Sequence, residues 1–465
     1  MGSSVLSSSL WSPHLIANYS PLTDSRAADI VVIGAGIAGL LTATLLHRSG
    51  HDVIVLDRGT VGGVATRNTT AKVSALQGTT LSKVTQARGA PAASLYAAAQ
   101  VDAVEGLRAL IDTLGIECAM TSATAVTFAL EADAAARVTA EHDAALAAEL
   151  PVAWMASLDV PFPTRGGVTL ANQFHMNPAD LCVALAAKLG AGHLFERTTV
   201  VNVDEDKKNG CVVTTEHGQR ITAHHVVIAT QSPIVDPMFL ANRCEPKQSY
   251  AIAVRTTARV PADMYLSADD LTISLRPAQV DGQRFLIVGG NGHGMGKERT
   301  TNRWTELEQW AKQHIGPLEV AHRWATHDLV ATDHVPFIGR AAPNAQCRWV
   351  ATAFGKWGMT NAYVAARIIC DGIDEKEPLA WAATFDSTRI RSTVNREFVS
   401  AGVNAVQHLV VDRIARRPEP RCTHQGCVLR KDDALNTWDC PCHGSRFDEN
   451  GTVLQGPAIK PIKTP

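Results

Sequence analysis

Four cysteines and two histidines are concentrated near the end of the sequence, in an arrangement typical of a metal centre. They form the motif Cys-x-His, a spacer of fifteen residues, and Cys-x-x-His, within the stretch from Cys422 to His443. Six such side chains exceed the four ligands of a tetrahedral zinc ion. A [2Fe–2S] cluster with two cysteines on one iron and two histidines on the other uses four of them and leaves two cysteines over. The spacing favours an iron–sulfur cluster, and a zinc site is the alternative.

A glycine-rich turn near the start of the sequence has the spacing of a dinucleotide-binding site. Gly34, Gly36 and Gly39 follow an apolar run that begins at Asp29, and Asp57 lies 23 residues after Gly34. The first glycine allows a tight turn, the second lets the backbone approach a pyrophosphate, and the third lets helix and strand pack closely. The carboxylate of Asp57 is placed to accept a hydrogen bond from a ribose hydroxyl. These residues alone do not distinguish NAD from FAD.

The glycine turn must be held in place by neighbouring strands and helices, and the sequence predicts these elements. The pattern predicts a helix over 37–48 and a second strand over 52–56, which completes a βαβ unit. Asn177 and Pro178 predict the start of another helix, over 179–189. Five more strands are predicted at 200–203, 212–215, 225–229, 284–289 and 348–353. Alternation of strands and helices to about residue 375 is typical of an α/β core.

Seven motifs follow one another in a fixed order between residues 28 and 400. They are Asp57-Arg58, Gly62 to Lys72 (GGVATRNTTAK), Leu194 to Val200 (LFERTTV), His225 to Thr230 (HVVIAT), Phe285 to Gly290 (FLIVGG), Asp333 to Gly339 (DHVPFIG) and Phe354 to Thr360 (FGKWGMT). This series resembles the D-amino-acid oxidase and glycine oxidase superfamily of FAD enzymes. The resemblance implies FAD as a cofactor, with its isoalloxazine between segments 67–72 and 355–360. Gln231 is a departure, since such flavoproteins usually have glycine there.

The resemblance also implies which residues bind FAD. They are Gly34, Gly36, Gly39, Asp57, Arg58, Thr66, Thr70, Lys72, Val200, Ala229, Asp333, Gly355, Lys356, Gly358, Met359 and Thr360. Lys356 and the N–H groups around it are candidates for stabilising negative charge on the pyrimidine edge of a reduced flavin, and a solvated surface lysine is the alternative. The superfamily has no universal catalytic base, so the catalytic residues stay unassigned. Arg255 and Arg276 are candidates for binding a substrate carboxylate.

The cysteine and histidine motif resembles a Rieske centre. The resemblance implies three pairs, one on each iron and one disulfide: Cys422 with Cys440, His424 with His443, and Cys427 with Cys442. Ser445 matches the serine whose hydroxyl donates to a cluster sulfide. Only residues 403–420 separate the flavoprotein from the first ligand, which predicts a curtailed Rieske sheet supported by the flavoprotein.

Composition excludes several classes of protein. The chain has 465 residues, of which 46% are hydrophobic and 19% charged, so global disorder is excluded and more than one domain is expected. A net charge of −2 provides no basic field for a nucleic acid. We find neither a long uncharged apolar stretch nor a signal-peptide pattern, and we expect a soluble, cytoplasmic protein with no membrane span. The six scattered cysteines are expected to stay reduced: Cys118, Cys182, Cys211, Cys244, Cys347 and Cys370.

The sequence therefore predicts an α/β protein with three parts. Residues 1–27 form an N-terminal arm, and 28–400 form an FAD-dependent oxidoreductase in which a Rossmann-like FAD-binding domain and an α+β substrate domain are interleaved. Residues 401–465 form a linker, which includes the charged segment from Arg413 to Pro420, and a small all-β Rieske domain. The run from Gly290 to Gly296 lacks the GxGxxG spacing, so we interpret it as a glycine-rich turn and predict no NAD(P)H site.

Two redox centres in one chain predict a conversion between two-electron and one-electron chemistry. A flavin accepts two electrons as a hydride, whereas a [2Fe–2S] cluster carries one. We expect a dehydrogenase or oxidase that acts on the C–N bond of an amine or amino acid, with a one-electron acceptor or O₂ as the final oxidant. The alternative is an electron-transfer component that relays electrons from an external donor to a partner oxygenase, which the missing NAD(P)H loop disfavours.

Overall fold

The computed structural model describes residues 8–14, 18–206, 210–296, 303–390 and 419–463. In chain order the strands are β1 (Arg26–Ile33), β2 (Val53–Leu56), β3 (Lys72–Val73), β4 (Thr121–Phe128), β5 (Ala153–Met155), β6 (Gly167–His175), β7 (Leu194–Phe195), β8 (Val200–Asp206), β9 (Gly210–Thr215), β10 (Arg220–Ile228), β11 (Cys244–Thr256), β12 (Met264–Ser267), β13 (Ile273–Val280), β14 (Gln283–Gly294), β15 (Leu318–Ala331), β16 (Phe337–Arg340), β17 (Arg348–Thr352), β18 (Arg430–Asp432), β19 (Thr437–Asp439), β20 (Arg446–Phe447) and β21 (Val453–Gln455). The α-helices are α1 (Ile37–Arg48), α2 (Thr80–Arg88), α3 (Ala90–Leu114), α4 (Ala132–Ala147), α5 (Pro178–Leu189), α6 (Arg303–His314) and α7 (Gly358–Ile373).

The first sheet is the nucleotide-binding part of the predicted α/β core. Its strands lie in the order β16-β17-β10-β1-β2-β7, and β8 and β9 extend it beside β10. Strand β1 is parallel to both β2 and β10, and β10 is parallel to β17. Helix α1 packs on this sheet beside α7, and Leu40, Leu46, Val364 and Ile369 share one buried core. This arrangement brings the carboxyl ends of β1 and β10 to one edge of the sheet.

The second sheet carries the predicted substrate part. Its order is β15-β11-β14-β13-β12-β4-β6-β3, with β5 beside β6. Most neighbours are antiparallel, although β12 is parallel to β4. The chain visits this sheet twice, since β3–β6 and β11–β15 are separated by strands of the first sheet. The interleaved α/β architecture predicted from the sequence is therefore confirmed.

The bounds of two helices follow from their local sequence. Helix α1 has the predicted bounds and is buried along most of its length, as an apolar helix between two layers must be. Helix α5 begins at Pro178, and the side chain of Asn177 accepts hydrogen bonds from the backbone N–H groups of Ala179 and Asp180. The cap satisfies two donors that helical hydrogen bonds leave free, so it fixes where the helix starts.

The third sheet lies near the end of the chain, and in the described residues it comprises the short antiparallel strands β18-β19-β20-β21. Its small core includes Leu429, Phe447 and Ile462. That the Rieske sheet is curtailed stays a prediction, because residues 391–418 lie outside the described part of the chain. Of the predicted linker, only residues 419 and 420 lie within the described part of the chain.

Two expectations need correction. Cys211 and Cys347 form a disulfide between β9 and the residue before β17, so these two of the six scattered cysteines are not free thiols. Gly290 to Gly294 do not form a turn but pair with β11 as the end of β14.

Trp11 of the predicted N-terminal arm is buried, and the guanidinium of Arg276 lies over its ring.

Candidate functional site

The glycine turn between β1 and α1 leaves almost no room for side chains. Gly34 has φ +108°, and a Cβ there would lie 2.6 Å from the carbonyl oxygen of Ala229, the residue that follows β10. A Cβ at Gly39 would lie 1.8 Å from the carbonyl oxygen of Gly34. At Gly36 the nearest atom would be Thr66 Oγ1, at 3.3 Å. Gly34 and Gly39 are therefore needed for close packing, while Gly36 leaves the start of α1 open to a ligand.

Asp57 follows β2 and closes the other side of the turn. Its carboxylate accepts hydrogen bonds from the N–H of Ala35, at 2.6 Å, and of Gly59, at 2.7 Å. Burial raises the pKa of Asp57, and these two hydrogen bonds oppose that effect. Asp57 therefore stabilises the conformation of the glycine turn, and it lies at the end of β2 as the sequence predicts.

A cavity of about 1330 Å³ opens at this edge of the sheet and continues to the second sheet. Its size exceeds the usual range for one small ligand, about 300–1,000 Å³, and suits a long cofactor with a substrate beside it. Thirteen of the sixteen predicted FAD-binding residues line it: Gly34, Gly36, Asp57, Arg58, Thr66, Thr70, Lys72, Val200, Ala229, Gly355, Lys356, Gly358 and Met359.

The other three predicted residues lie behind the cavity wall. Gly39 packs on Gly34, as described above. Asp333 is fully buried and forms a two-point ion pair with Arg389, with distances of 2.8 and 3.0 Å. Thr360 is also buried and accepts a hydrogen bond from the side chain of Gln77. These residues support the wall from outside the cavity.

Lys356 lies in the turn between β17 and α7, with its side chain in the cavity. Its backbone has φ +71°, and its N–H donates to Asp328 Oδ2 at 2.7 Å. A Cβ added at Gly292 would lie 3.0 Å from Lys356 Nζ, which places the amine beside β14. The side chain is exposed in the open cavity, and desolvation by the surrounding protein lowers its pKa to about 8, with a further contribution from Lys247. The structure thus places Lys356 in the cavity wall rather than on the outer surface of the protein.

Two other buried ionisable groups lie along the same cavity. Lys72 Nζ donates to the carbonyl oxygen of Tyr265 at 2.6 Å and to Ser274 Oγ at 2.7 Å, and burial lowers its pKa to about 7. Burial raises the pKa of Asp328 to about 6, although the N–H of Lys356 and other donors oppose the shift. The cavity wall therefore disfavours charge on each of these groups.

Neither arginine proposed for a substrate carboxylate lines the cavity. Arg276 is fully buried in the second sheet and donates to the backbone carbonyls of Ala71 and Met176. Arg255 lies at the surface, where it binds Gln283 and Glu319. A carboxylate in the cavity would have to be bound by other groups.

The predicted cluster ligands converge between two loops of the third sheet. Cys422 and Cys440 are buried free thiols. The rings of His424 and His443 are 5.1 Å apart, and His424 Nδ1 and both ring nitrogens of His443 have no hydrogen-bond partner. Buried imidazole nitrogens without partners are costly unless a metal or another group occupies them. The four side chains therefore fit a [2Fe–2S] cluster with mixed ligands.

A disulfide joins the two ligand loops. Cys427 and Cys442 are bonded with an S–S distance of 2.05 Å, the pairing that the Rieske resemblance implies. The sulfur of Cys440 lies within 4.8 Å of both, but two of these three sulfurs are used by the disulfide, so the trio is not itself a metal site. Ser445 Oγ accepts from the N–H of Ala458, and its hydroxyl donates to the sulfur of Cys422, one of the predicted cluster ligands.

The third sheet is docked on the flavoprotein part at the cavity itself. Pro441 and Cys442 of a ligand loop, together with residues 453–456 around β21, line the same cavity as the dinucleotide turn. Arg58, which follows Asp57, donates to the carbonyl oxygen of Leu454 at 3.2 Å. The two candidate redox sites thus share one wall.

A buried polar network also crosses this contact. Arg446 on β20 forms an ion pair with Asp439 at 2.7 Å and donates to the side-chain oxygen of Gln248 on β11. Gln248 Nε2 donates to Tyr250 Oη at 2.6 Å, and Tyr250 Oη lies 3.0 Å from His293 Nε2. Tyr250 and His293 line the cavity. Sequence reasoning missed this network, because no local motif marks a glutamine that meets an arginine 198 residues further along the chain.

Fold and site together define a flavoprotein oxidoreductase with an attached iron–sulfur domain. Residues 29–372 match the family described as FAD dependent oxidoreductase, and the chain belongs to this family. Residues 400–465 match the Rieske [2Fe-2S] domain. A full-length relative is YhfW of Bacillus subtilis (strain 168), named as a Rieske 2Fe-2S iron-sulfur protein. It is 28% identical over 488 residues, which cover 96% of this chain and 95% of YhfW.

The two parts of the chain are similar to different proteins. The cytochrome b6-f complex iron-sulfur subunit of Prochlorococcus marinus (strain AS9601) is 57% identical over 37 residues, only 8% of this chain and 21% of that subunit. Glycine oxidase from Geobacillus kaustophilus has a TM-score of 0.67 at 18% identity, covering 79% of this chain and 100% of the oxidase. L-proline dehydrogenase from P. horikoshii has a TM-score of 0.66 at 18% identity, covering 79% and 98%. These structures share the fold of the flavoprotein part.

The two families define the cofactors. Proteins of the first family bind FAD, and the Rieske domain binds a [2Fe–2S] cluster. The residues present fit both groups, since the start of α1 faces the cavity without a side chain at Gly36 and the cysteine and histidine donors of the loops are free. None of the helices in the described part of the chain is both long and apolar enough to cross a membrane.

The open face at Gly36 yields a first prediction. Gly36→Val inserts a branched side chain where the backbone meets the cavity, at a φ of −75° that any residue adopts. We expect a folded protein that lacks flavin absorbance, because the side chain would occupy the space of the pyrophosphate. Gly192→Ala is the control, since nothing lies within 4 Å of a Cβ there. Normal flavin content in Gly36→Val would contradict the assignment.

The buried carboxyl of Asp328 yields a second prediction. Its folded-state pKa of about 6 lies above the unfolded value of 3.8, so deprotonation destabilises the protein, and this penalty grows as the pH rises from about 4 to about 6 and then levels off. Asp328→Asn keeps an acceptor for Lys356 N–H and removes the penalty. The unfolding free energy of the variant relative to the wild type should rise by about 1 kcal/mol from pH 5 to pH 7. Urea unfolding at both pH values measures it, and a pH-independent difference would refute the assignment.

Proposed function

We propose that the protein is an FAD-dependent dehydrogenase or oxidase that acts on a C–N bond of an amine or amino acid. The electrons then pass one at a time through its Rieske cluster to a one-electron acceptor or O₂. One observation carries the proposal: the loop with cluster ligands Cys440 and His443 contributes Pro441 and Cys442 to the wall of the cavity that the dinucleotide turn also lines. A shared wall gives a direct route between the two centres.

The fold neighbours support the class of substrate. Glycine oxidase and L-proline dehydrogenase are named for reactions on amino acids, and so is the L-amino acid deaminase from Proteus vulgaris, which has a TM-score of 0.65 at 16% identity. Such a reaction removes a hydride from the carbon beside the nitrogen and a proton from the nitrogen, and water then hydrolyses the resulting imine. The identity of the substrate and the group that takes the proton are left open.

FAD supplies a two-electron acceptor when bound, and the cluster supplies a one-electron carrier. We assign the pyrophosphate to the N–H groups at the start of α1, and the ribose to Asp57. Segments 67–72 and 355–360 both contribute residues to the cavity wall, and we assign the ring system to the space beside them. Lys356 is our candidate for stabilising negative charge there, because its amine lies in the cavity wall and a nearby anion would favour its ammonium form.

The chain's own residues shape the substrate space from the second sheet. Tyr250, His293, Ser274 and Lys72 line the cavity on this side. Tyr250 and His293 are held by hydrogen bonds to each other and to Gln248, so their rings keep a fixed orientation. Lys72 is bound to Tyr265 and Ser274 in the wall. These groups limit water access and orient a small polar molecule against the flavin.

The electron-transfer component for a partner oxygenase is the competing function. It needs a site for an external donor such as NADH, and the glycine run that most resembles a second nucleotide loop is part of β14. A dinucleotide loop must connect a strand to a helix N-terminus. The position of this run in a strand therefore favours the dehydrogenase.

The cluster assignment yields a third prediction. The purified protein should contain about two iron atoms and two acid-labile sulfides per chain, with an EPR spectrum of mixed histidine and cysteine ligation after reduction. His443→Ala should lose the cluster and keep flavin, because it removes one of two ligands on its iron. Cys442→Ser should keep iron in a less protected cluster, since it breaks only the disulfide. Zinc in place of iron after anaerobic purification would refute the assignment.

The direction of electron flow yields a fourth prediction. In an anaerobic screen, the correct amine should bleach the flavin first and the cluster second, whereas NADH and NADPH should leave the flavin oxidised over minutes. His424→Ala with FAD retained should be bleached at a near-normal rate, while turnover with cytochrome c should fall by about tenfold or more. Rapid bleaching by NADH with no active amine would instead favour the electron-transfer component.

A further inference from the structure

Gln231 occupies a backbone conformation that favours glycine. It lies three residues beyond the end of β10 and has φ +65°, in the left-handed region where most side chains cause strain. The superfamily resembled by this sequence usually has glycine at the position. A residue kept in such a conformation must be held there by its surroundings, so the contacts of the Gln231 side chain indicate its role.

The Gln231 side chain joins three parts of the molecule. It belongs to the loop after β10, its Nε2 donates to the carbonyl oxygen of His327 on β15 at 2.6 Å, and its Oε1 accepts from Gln455 Nε2 on β21. Its backbone oxygen accepts from the hydroxyl of Thr352. Gln455 is buried, so an unmade hydrogen bond there would be costly.

Both partners of Gln231 are next to redox-site residues. His327 precedes Asp328, whose carboxylate accepts from the N–H of Lys356 at 2.7 Å. Strand β21 pairs with β20, which directly follows the loop with His443 and Ser445. One side chain thus connects the Lys356 turn of the cavity with the sheet that carries the cluster loops.

We propose that Gln231 is a positioning residue that fixes β21 of the Rieske domain against the Lys356 turn and so holds the two redox centres at a constant separation. The consequence for electron transfer rests on the function proposed above, whereas the contact itself does not. Glycine at this position would remove the backbone strain and also both side-chain hydrogen bonds. Loss of the backbone strain would stabilise the protein, whereas loss of the hydrogen bonds would destabilise it. The overall free energy of unfolding therefore does not isolate this contact, and a measurement local to β21 is required.

Hydrogen exchange in the FAD- and cluster-loaded protein tests the contact without any substrate. In Gln231→Gly, the amides of β21 should exchange about tenfold faster or more, because the strand loses an anchor. Gln455→Ala removes the same contact from the other side and leaves the flavin-binding loop unchanged, so it should give the same increase. The double variant should add nothing further. Gln313→Ala on α6 is the control, since this exposed glutamine makes no contact with the interface.

Light-driven reduction tests the effect on the redox centres. With EDTA as electron donor, a flash reduces the flavin by one electron, and the absorbance of the reduced cluster reports its onward transfer. The transfer rate should fall in Gln231→Gly and in Gln455→Ala and stay unchanged in Gln313→Ala. The EPR spectrum of the cluster should stay that of the wild type, because no ligand is altered.

Two outcomes would overturn the proposal. Unchanged exchange of β21 in both single variants would show that the glutamine pair is not an anchor. Faster exchange with an unchanged transfer rate would show that the anchor does not control the separation of the centres. Failure of every amine in the substrate screen would refute the proposed dehydrogenase and would leave both of these measurements interpretable.

Discussion

The guanidinium of Arg446 is the buried charge on which the attachment of the Rieske domain depends. Asp439 neutralises it within the same sheet, and a further N–H of the guanidinium donates to Gln248 of the second sheet. Separation of the domains would leave several buried polar groups exposed or without a hydrogen-bond partner. Each buried polar group without a partner costs about 1–3 kcal/mol, so separation is unfavourable. Gln248 also holds Tyr250, so the docked Rieske domain stabilises the part of the cavity wall that the second sheet forms. The iron–sulfur domain is therefore a structural part of the flavin site.

Charge is disfavoured throughout the cavity wall when no anion is bound. Burial lowers the pKa of Lys72 to about 7 and of Lys356 to about 8, and it raises that of Asp328 to about 6. A negatively charged cofactor would favour the ammonium forms of both lysines, so its binding is coupled to proton uptake near neutral pH. The electrostatics of the wall thus suit a group that brings its own negative charge.

Features that depend on short sequence separation were predictable. The bounds of α1, the Asn177 cap and the position of Asp57 follow from rules that act over a few residues or one βαβ unit. Features that depend on contacts between residues far apart in the sequence were not predictable. Gln248 meets Asp432 across 184 residues, and nothing near either residue marks the contact. The resemblance also assigned Asp333 to FAD, but the fold pairs its carboxylate with Arg389 outside the cavity, an arrangement that spacing does not reveal.

The disulfide between Cys211 and Cys347 has a topological consequence. Its cysteines are 136 positions apart, and the segment between them includes β11 to β15, the larger part of the second sheet. In the unfolded chain the bond closes this whole segment into a loop, which on a chain-entropy basis removes about 5 kcal/mol of conformational freedom. The loop contains the excursion into the second sheet together with β10 and β16, the first-sheet strands that precede and follow it. The excursion thus resembles a domain insertion with a covalently closed base.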